Sequence, residues 1–156
     1  MKTGFYAGSF DPFTTGHLHI VKVSSKIFDK VIIGIGINPK KTRNFDKFKM
    51  KEGIESLLKS ENIKNAEVVT FNGLTADVAK EYGAEFLIRG VRNGIDYDFE
   101  ENLALINEEI SGIDTVYFRA GELGAISSSL VIELIRRNKD VSKYVPSNIL
   151  ELIKTI

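Results

Sequence analysis

The feature that most constrains the fold is a seven-residue apolar run, Val31–Ile37, which reads VIIGIGI. Its β-branched residues show no alternation with polar ones, which is typical of a strand buried on both faces of a parallel sheet. Four further extended segments alternate with helical patterns, and this order favours βαβ units with right-handed crossovers. We therefore predict an α/β fold, a five-stranded parallel sheet with helices on both faces. The predicted strands are Lys2–Ala7, Val31–Ile37, Glu67–Phe71, Phe86–Arg89 and Asp114–Phe118.

The helical patterns lie between and after these strands. Apolar residues recur at roughly 3.6-residue spacing in the first of them, and Gly83 ends the third as a glycine after a helix C-terminus would. The predicted helices are Gly16–Phe28, Phe48–Lys59, Thr75–Tyr82, Asp96–Ile110, Ser128–Arg137 and Ser147–Ile156. The chain has 156 residues and no linker or internal repeat, so we assign residues 1–156 to a single domain.

Composition excludes several classes of protein. The chain has no cysteine, which rules out disulfides and thiol catalysis, and its two histidines make a multi-histidine metal site unexpected. The 21 basic residues balance the 21 acidic ones, whereas a duplex-DNA binder usually has a basic excess. The apolar runs are too short to span a membrane, and the N-terminus lacks the apolar core of a signal peptide. We expect a soluble cytoplasmic protein with no metal held by the chain itself and no nucleic-acid or membrane partner.

Ligands of parallel α/β sheets bind beyond the carboxyl ends of the strands, so the loops that follow the strands are the candidate sites. After the first predicted strand the chain reads GSFDPFTTGH, from Gly8 to His17. Gly8 would let the backbone approach a ligand, and Ser9 offers a hydroxyl. Gly16 and His17 open a helix whose free N–H groups and positive dipole end suit an anion. The alternative is a plain strand–turn–helix connection with a capping threonine.

Two later loops are rich in cations. Three cations within four residues, Lys41 and Arg43 among them, follow the second strand, where they would either reach a phosphate or form a solvated basic loop. Arg89 and Arg92 bracket Gly90 after the fourth strand. Their planar guanidinium groups would grip two phosphates, or would pair with acidic side chains on the next helix.

The loop after the fifth strand ends in three consecutive serines, Ser127–Ser129. One serine suffices to cap a helix. The others would offer hydroxyl and backbone donors to a ligand, or would be exposed to solvent. Because all these loops meet at one edge of the predicted sheet, we interpret them together as an anion-binding site.

Taken in order, the motifs GSFDP, TTGH, IRGVR and ISSS resemble those of a known enzyme family. The form G-(T/S)-F-D-P followed by (H/T)-x-G-H is the signature of a nucleotidyltransferase superfamily. Together with IRGVR and ISSS, it is similar to the bacterial phosphopantetheine adenylyltransferases over essentially the whole chain. The resemblance implies a Rossmann-like α/β domain that transfers the adenylyl group of ATP to 4′-phosphopantetheine, giving dephospho-coenzyme A and pyrophosphate. It also implies Mg²⁺ bound with ATP, and a homohexamer.

The resemblance assigns roles to individual residues. It implies that the catalytic residues are His17, Lys41 and Arg92, with His17 stabilising the pentavalent transition state. It implies that the acceptor is bound by Ser9, Lys41, Thr75, Arg89, Leu103 and Asn107. It implies that ATP is bound by Ser9, Phe10, His17, Gly90, Val91, Arg92, Glu100, Leu123, Gly124, Ala125, Ile126, Ser127, Ser128 and Ser129.

A few positions depart from the commonest family pattern. Thr15 stands where asparagine is frequent, Phe99 where tyrosine often precedes the glutamate, and Leu123 where an aromatic residue is usual. These changes bear on adenine stacking and on ATP affinity rather than on the class of reaction.

A reaction of this class needs no general base, because the attacking phosphate is already anionic at neutral pH. The protein would have to place one anion against a polyanion and neutralise their charge, a task that fits Lys41, Arg89, Arg92 and His17. Two alternatives stay open. One is a related nucleotidyltransferase with another phosphorylated acceptor, such as nicotinate mononucleotide. The other is a non-catalytic module that binds a nucleotide or coenzyme A.

Overall fold

The computed structural model describes residues 1–120 and 126–154, apart from the side chains of residues 95, 96, 99 and 100. These described residues form five strands and six helices. The strands are β1 (Thr3–Gly8), β2 (Lys30–Gly36), β3 (Ala66–Phe71), β4 (Phe86–Val91) and β5 (Asp114–Arg119). The helices are α1 (Thr15–Ile27), α2 (Lys47–Ser60), α3 (Thr75–Glu81), α4 (Gly94–Ser111), α5 (Ser128–Arg136) and α6 (Ser147–Lys154). Within the described part of the chain, no helix has the length and apolar character needed to cross a bilayer.

The strands run parallel in the order β3-β2-β1-β4-β5. Tyr6 of β1 pairs with Ile33 of β2 on one side and with Ile88 of β4 on the other, so β1 lies at the centre. From β1 the chain first builds the sheet in one direction and then, with β4, in the other. The chain therefore reverses its direction of building between β1 and β4. Sheets of this kind bind ligands at such a switch point, in the crevice beyond the carboxyl ends of the two strands. The α/β, Rossmann-like fold expected from the sequence is confirmed.

Side chains of the central strands alternate between two apolar layers. Phe5 of β1 and Ile32 of β2 pack in one layer with Ala76 and Ala79 of α3. Ile33 belongs to the opposite, larger layer, to which α1, α2, α5 and α6 contribute. Burial on both faces explains why the run VIIGIGI lacks polar residues.

The predicted ends of the elements differ from the observed ones by at most two residues within the described chain. The difference that matters lies in β4, which continues two residues past Arg89 to Val91. Arg89 thus lies inside the strand, paired with Tyr117 of β5, and not at its end as the sequence indicated. The sheet therefore fixes the backbone of Arg89 more firmly than a loop would.

Candidate active site

A cavity of about 290 Å³ lies at the carboxyl edge of β1 and β4. Its walls come from the end of β1, the loop that follows, the first turn of α1, the end of β4 and the start of α5. The cavity brings together residues that the sequence predicted from separate loops, namely Ser9, Phe10, His17, Arg89, Gly90, Arg92, Ile126, Ser127 and Ser128. The structure therefore brings these loops together at one cavity.

A second cavity, of about 390 Å³, adjoins the first and shares Ser9 and Ser128 with it. Lys41 and Ser129 line this second cavity, together with Arg136 from the end of α5. The two cavities therefore adjoin at Ser9 and Ser128, and each has cationic residues in its lining.

Some predicted site residues lie elsewhere. Val91 lines another pocket, together with Arg92. Three predicted acceptor contacts are not among the described residues that line the two cavities, namely Thr75, Leu103 and Asn107. Four predicted ATP contacts fall outside what the structure describes: the residues Leu123, Gly124 and Ala125, and the side chain of Glu100.

His17 is oriented by the residue that caps its own helix. Thr14 is the N-cap of α1, and its backbone N–H donates to His17 Nδ1 at 2.9 Å. The His17 backbone N–H donates in return to Thr14 Oγ1 at 3.3 Å. This is a capping box in which histidine replaces the usual glutamate or glutamine. An Nδ1 that accepts a hydrogen bond carries no proton, so the neutral ring carries its proton on Nε2 and presents a donor there.

The charge state of His17 follows from its surroundings. Burial, and secondarily the positive charge of Arg92, lower the pKa of His17 to about 4 from its ordinary 6.5. The rings of Tyr6, Phe10 and Phe13 surround the imidazole, with centroids 6.4, 4.9 and 5.4 Å away. At neutral pH His17 is therefore an uncharged Nε2–H donor of fixed orientation.

Two helix N-termini meet at the first cavity. Gly16 and His17 belong to the first turn of α1, and Ser127 and Ser128 stand at the start of α5. Unpaired N–H groups and the positive ends of the helix dipoles both favour an anion at such a position. With Arg89 and Arg92 in the wall, the described lining of this cavity is electropositive.

The serine run has more structural duties than the sequence suggested. Ser127 Oγ caps α5 by accepting from the Leu130 N–H at 3.1 Å. Ser128 Oγ donates to the Pro12 carbonyl at 2.7 Å and thereby ties α5 to the loop after β1. Because the Ser128 hydroxyl proton is already used, an anionic ligand would meet the backbone N–H groups of this turn and the hydroxyl proton of Ser127, whose oxygen only accepts from Leu130.

Arg89 crosses from β4 to β1. Its Nη1 donates to the Ala7 carbonyl at 3.2 Å, at the strand end that faces the cavity. This bond fixes part of the guanidinium group at the carboxyl edge of the sheet.

Two glycines have a packing role that differs from the expected one. The sequence indicated that Gly8 gives a ligand access to the backbone, and the resemblance implied that Gly90 contacts ATP. In the structure, a Cβ at Gly8 would lie 3.0 Å from the Phe10 ring, and a Cβ at Gly90 would lie 3.1 Å from Ile20. Both glycines therefore make room for side chains that build the cavity wall.

The sequence did not identify the residues that position the site residues without contacting a ligand themselves. The sequence indicated Thr14 only as a helix cap, yet this residue also sets the tautomer of His17. The signal was present in TTGH, since a histidine three residues after a threonine N-cap can close a capping box. Thr15 likewise anchors α1, because its N–H and its hydroxyl donate to the Tyr144 carbonyl at 2.9 and 3.1 Å.

The described residues contain no group of three or more histidine, aspartate and glutamate side chains that could hold a metal. Asp11 lines the second cavity, but its carboxylate accepts from the N–H groups of Asn44 and Phe45 at 2.8 and 2.9 Å. A magnesium ion held by nucleotide phosphates and water would need no carboxylate cage.

Comparison with known proteins identifies the family of the chain. A family model described as cytidylyltransferase-like matches residues 5–134. Phosphopantetheine adenylyltransferase from Lachnoclostridium phytofermentans is 43% identical over 155 residues, which cover 98% of this chain and 94% of that protein. The protein of the same name from Porphyromonas gingivalis is 45% identical over 142 residues, covering 90% and 92%.

A solved structure shares the fold at low sequence identity. It comes from Vibrio parahaemolyticus and is described as a nicotinate-nucleotide adenylyltransferase. It superposes with a TM-score of 0.73 at 17% identity, covering 99% of this chain and 93% of its own. At that identity the likeness concerns the fold alone, whereas the two curated relatives match along nearly their whole length. The chain belongs to the phosphopantetheine adenylyltransferase family of the nucleotidyltransferase superfamily.

Proposed function

We propose that this protein transfers the adenylyl group of ATP to 4′-phosphopantetheine, forming dephospho-coenzyme A and pyrophosphate. The observation that carries the proposal is the convergence of two helix N-termini, Arg89, Arg92 and the His17 donor on one cavity at the sheet's switch point. Such a cavity suits two phosphorylated ligands. The choice of 4′-phosphopantetheine as the acceptor rests on the two relatives named phosphopantetheine adenylyltransferase, which are 43% and 45% identical to this chain.

In the proposed step, a phosphate oxygen of the acceptor attacks the α-phosphorus of ATP. A new P–O bond forms as the bond from the α-phosphorus to the bridging oxygen breaks, and its electron pair leaves with pyrophosphate. No proton has to be removed from the nucleophile, because a phosphate monoester is anionic at neutral pH. Catalysis then consists of alignment and charge stabilisation.

The residues divide this task by position. Arg89, tied to β1 through Ala7, holds the acceptor phosphate, and Lys41 reaches the reacting phosphates from the second cavity. Arg92 and the α5 N-terminus receive the triphosphate of ATP. His17 donates from Nε2 to an oxygen of the α-phosphate as negative charge builds there, which is the electrostatic role of an oxyanion donor.

Magnesium fits this scheme as an ion that arrives with ATP. It would neutralise phosphate charge, with Ser9, which lines both cavities, placed to bind one of its waters. We place this chemistry in the cytoplasm, where ATP is supplied.

The resemblance also leads us to propose a homohexamer. Helix α4 exposes the apolar side chains of Leu103, Leu105, Ile106 and Ile110, which are 37 to 60% accessible in a single chain. Leu103, Ile106 and Ile110 are at the spacing of one helix face, and a large exposed apolar face is uncommon on a monomer. Light scattering should give a mass six times that of one chain, and Ile110→Asp should lower it, while Ile27→Asp at an exposed position of α1 should not.

The test of function compares acceptors. The purified protein is given ATP and Mg²⁺ with either 4′-phosphopantetheine or nicotinate mononucleotide, and pyrophosphate release is measured. Release with phosphopantetheine alone is the expected result. Release with nicotinate mononucleotide alone would keep the superfamily reaction and overturn the acceptor. ATP binding without release in either mixture would favour a non-catalytic binding module.

A further inference from the structure

The loop after β1 and the loop between β2 and α2 are joined by an arginine. Arg43 donates from Nη1 to the Ser9 carbonyl at 2.7 Å and from Nε to the Phe45 carbonyl at 3.0 Å. Its Nη2 lies 3.5 Å from the Phe10 carbonyl. Arg43 is one of the cations for which the sequence suggested a phosphate contact or a solvated loop. Although Arg43 lines the second cavity, its guanidinium donates to backbone carbonyls of the protein.

An aspartate of the loop after β1 binds back to the loop that carries Arg43. The Asp11 carboxylate accepts from the N–H groups of Asn44 and Phe45 at 2.8 and 2.9 Å, and from Asn44 Nδ2 at 3.2 Å. It also lies 3.7 Å from Arg43 Nη2. The two charged side chains, of Arg43 and Asp11, retain only 16% and 12% of their accessible surface. Partial exclusion of water makes these charge-assisted bonds stronger than those of an exposed ion pair.

This pair of residues, which we name the Asp11–Arg43 brace, holds a strained residue. Phe10 has φ of +45°, in the left-handed region that non-glycine residues adopt rarely, and its side chain is 2% exposed. Arg43 binds the carbonyl before Phe10 and approaches the carbonyl of Phe10 itself. Backbone conformations of this type persist where the surroundings enforce them.

The loops that the brace joins lie next to two residues used in the proposed reaction, His17 and Lys41. The Phe10 ring packs edge-on against the His17 imidazole, with centroids 4.9 Å apart and planes at 88°. Lys41 lies two residues before Arg43 in the same loop and lines the second cavity. One set of contacts therefore fixes the neighbour of the His17 donor and the loop that carries Lys41.

We propose that Arg43 and Asp11 are positioning residues that hold His17 and Lys41 in register for adenylyl transfer, without binding either substrate. This inference rests on the proposed function for its kinetic readout. It assigns the charge of Arg43 to alignment rather than to the attraction of phosphates.

The kinetic test uses Arg43→Met, Arg43→Lys and Asp11→Asn, with Arg137→Met as the matched control. Arg137 is an exposed arginine that pairs with Glu133 at the end of α5. For Arg43→Met we expect kcat to fall by about 10- to 100-fold, the scale of a misalignment of about 1 Å, while KM for both substrates changes less. Arg43→Lys should stay impaired, because a single ammonium group cannot reproduce the fan of guanidinium donors. The control should keep its kcat.

A double variant and an NMR spectrum test whether Arg43 and Asp11 act as one unit on His17. Arg43→Met combined with Asp11→Asn should lose little more than the worse single variant, because both act through one set of contacts. The NMR signals of the His17 ring should shift in Arg43→Met and not in Arg137→Met, since the Phe10 ring lies against the imidazole. This spectrum needs no turnover, so it tests the brace even if the wild type fails the acceptor assay.

Three results would overturn the inference. One is restoration of kcat by Arg43→Lys, which would mean that only positive charge is needed. Another is a rise in KM without a fall in kcat, which would make Arg43 a substrate contact. The third is an unchanged His17 spectrum in Arg43→Met. Asp11→Asn retains the shape of the side chain and provides the same tests if Arg43→Met does not fold.

Discussion

Replacing His17 by asparagine or by glutamine separates the two nitrogens of its ring. Asparagine ends near the position of Nδ1, where it can accept from the Thr14 N–H that lies 2.9 Å away in the native protein. Asparagine places no hydrogen-bond donor at the position of Nε2. Glutamine is one methylene longer and places its amide N–H near the position of Nε2. The two variants therefore retain opposite halves of the native interaction.

The expected losses follow from which half contacts the transition state. His17→Asn should lower kcat by about 10²- to 10³-fold, the loss usual for one donor to a developing oxyanion. His17→Gln keeps that donor with poorer orientation and should lose about tenfold. In both variants ATP binding should weaken less than kcat falls, because the donor acts mainly on charge that appears during the reaction.

The assay is steady-state pyrophosphate release at saturating ATP and acceptor, with binding of ATP measured separately. His19→Gln is the control, because His19 lies two residues further along α1 and does not line the described part of either cavity. A kcat for His17→Asn equal to or above that of His17→Gln would refute the assignment of the donor to Nε2. Unchanged kcat in both would remove His17 from catalysis.

Three further predictions concern the acceptor, pH and packing. Arg89→Ala should raise KM for 4′-phosphopantetheine more than KM for ATP in the same assay, and an equal rise would contradict its assignment to the acceptor. Folded His17 has a pKa of about 4 and an unfolded histidine about 6.5, so the unfolded chain binds more protons between these values. The free energy of unfolding should therefore fall by up to ~3 kcal/mol as pH drops through this window, and urea titrations should find a smaller fall in His17→Gln. Gly34→Ala would place a Cβ 2.5 Å from the Phe5 ring. Overpacking of this kind costs about 1–3 kcal/mol, so Tm should fall, and an unchanged Tm would show that the core relaxes freely.

The fold was predictable because its signals are local. The apolar run VIIGIGI is buried on both faces only if helices cover both sides of the sheet. The alternation of strands and helices along the chain indicated the α/β fold class. The rule that ligands lie beyond the strand ends then placed Ser9, His17, Arg89 and Ser127 at one edge from sequence alone. Strand ends were less predictable, since Arg89 continues β4 through pairing with Tyr117 that no local pattern reveals.

What the sequence could not reveal was how side chains are divided between ligand and scaffold. Arg43 and Asp11 are more than 30 positions apart, and their use as a brace depends on two loops meeting in space. Lys41 and Arg43 look alike in a basic loop, yet the second binds carbonyls at 2.7 and 3.0 Å. Similarly, the serine run looks uniform, although the hydroxyl of Ser128 already donates to Pro12.

The central claim is that the site aligns two anions for a single direct transfer and adds neither a covalent intermediate nor a general base. The stereochemical course at the α-phosphorus tests this claim most directly. The protein is given ATP made chiral there by one sulfur atom, with 4′-phosphopantetheine as acceptor, and the configuration of the product is determined. One in-line displacement predicts thio-substituted dephospho-coenzyme A with inverted configuration. Retention would contradict the account, because it requires two displacements through an adenylylated group on the protein.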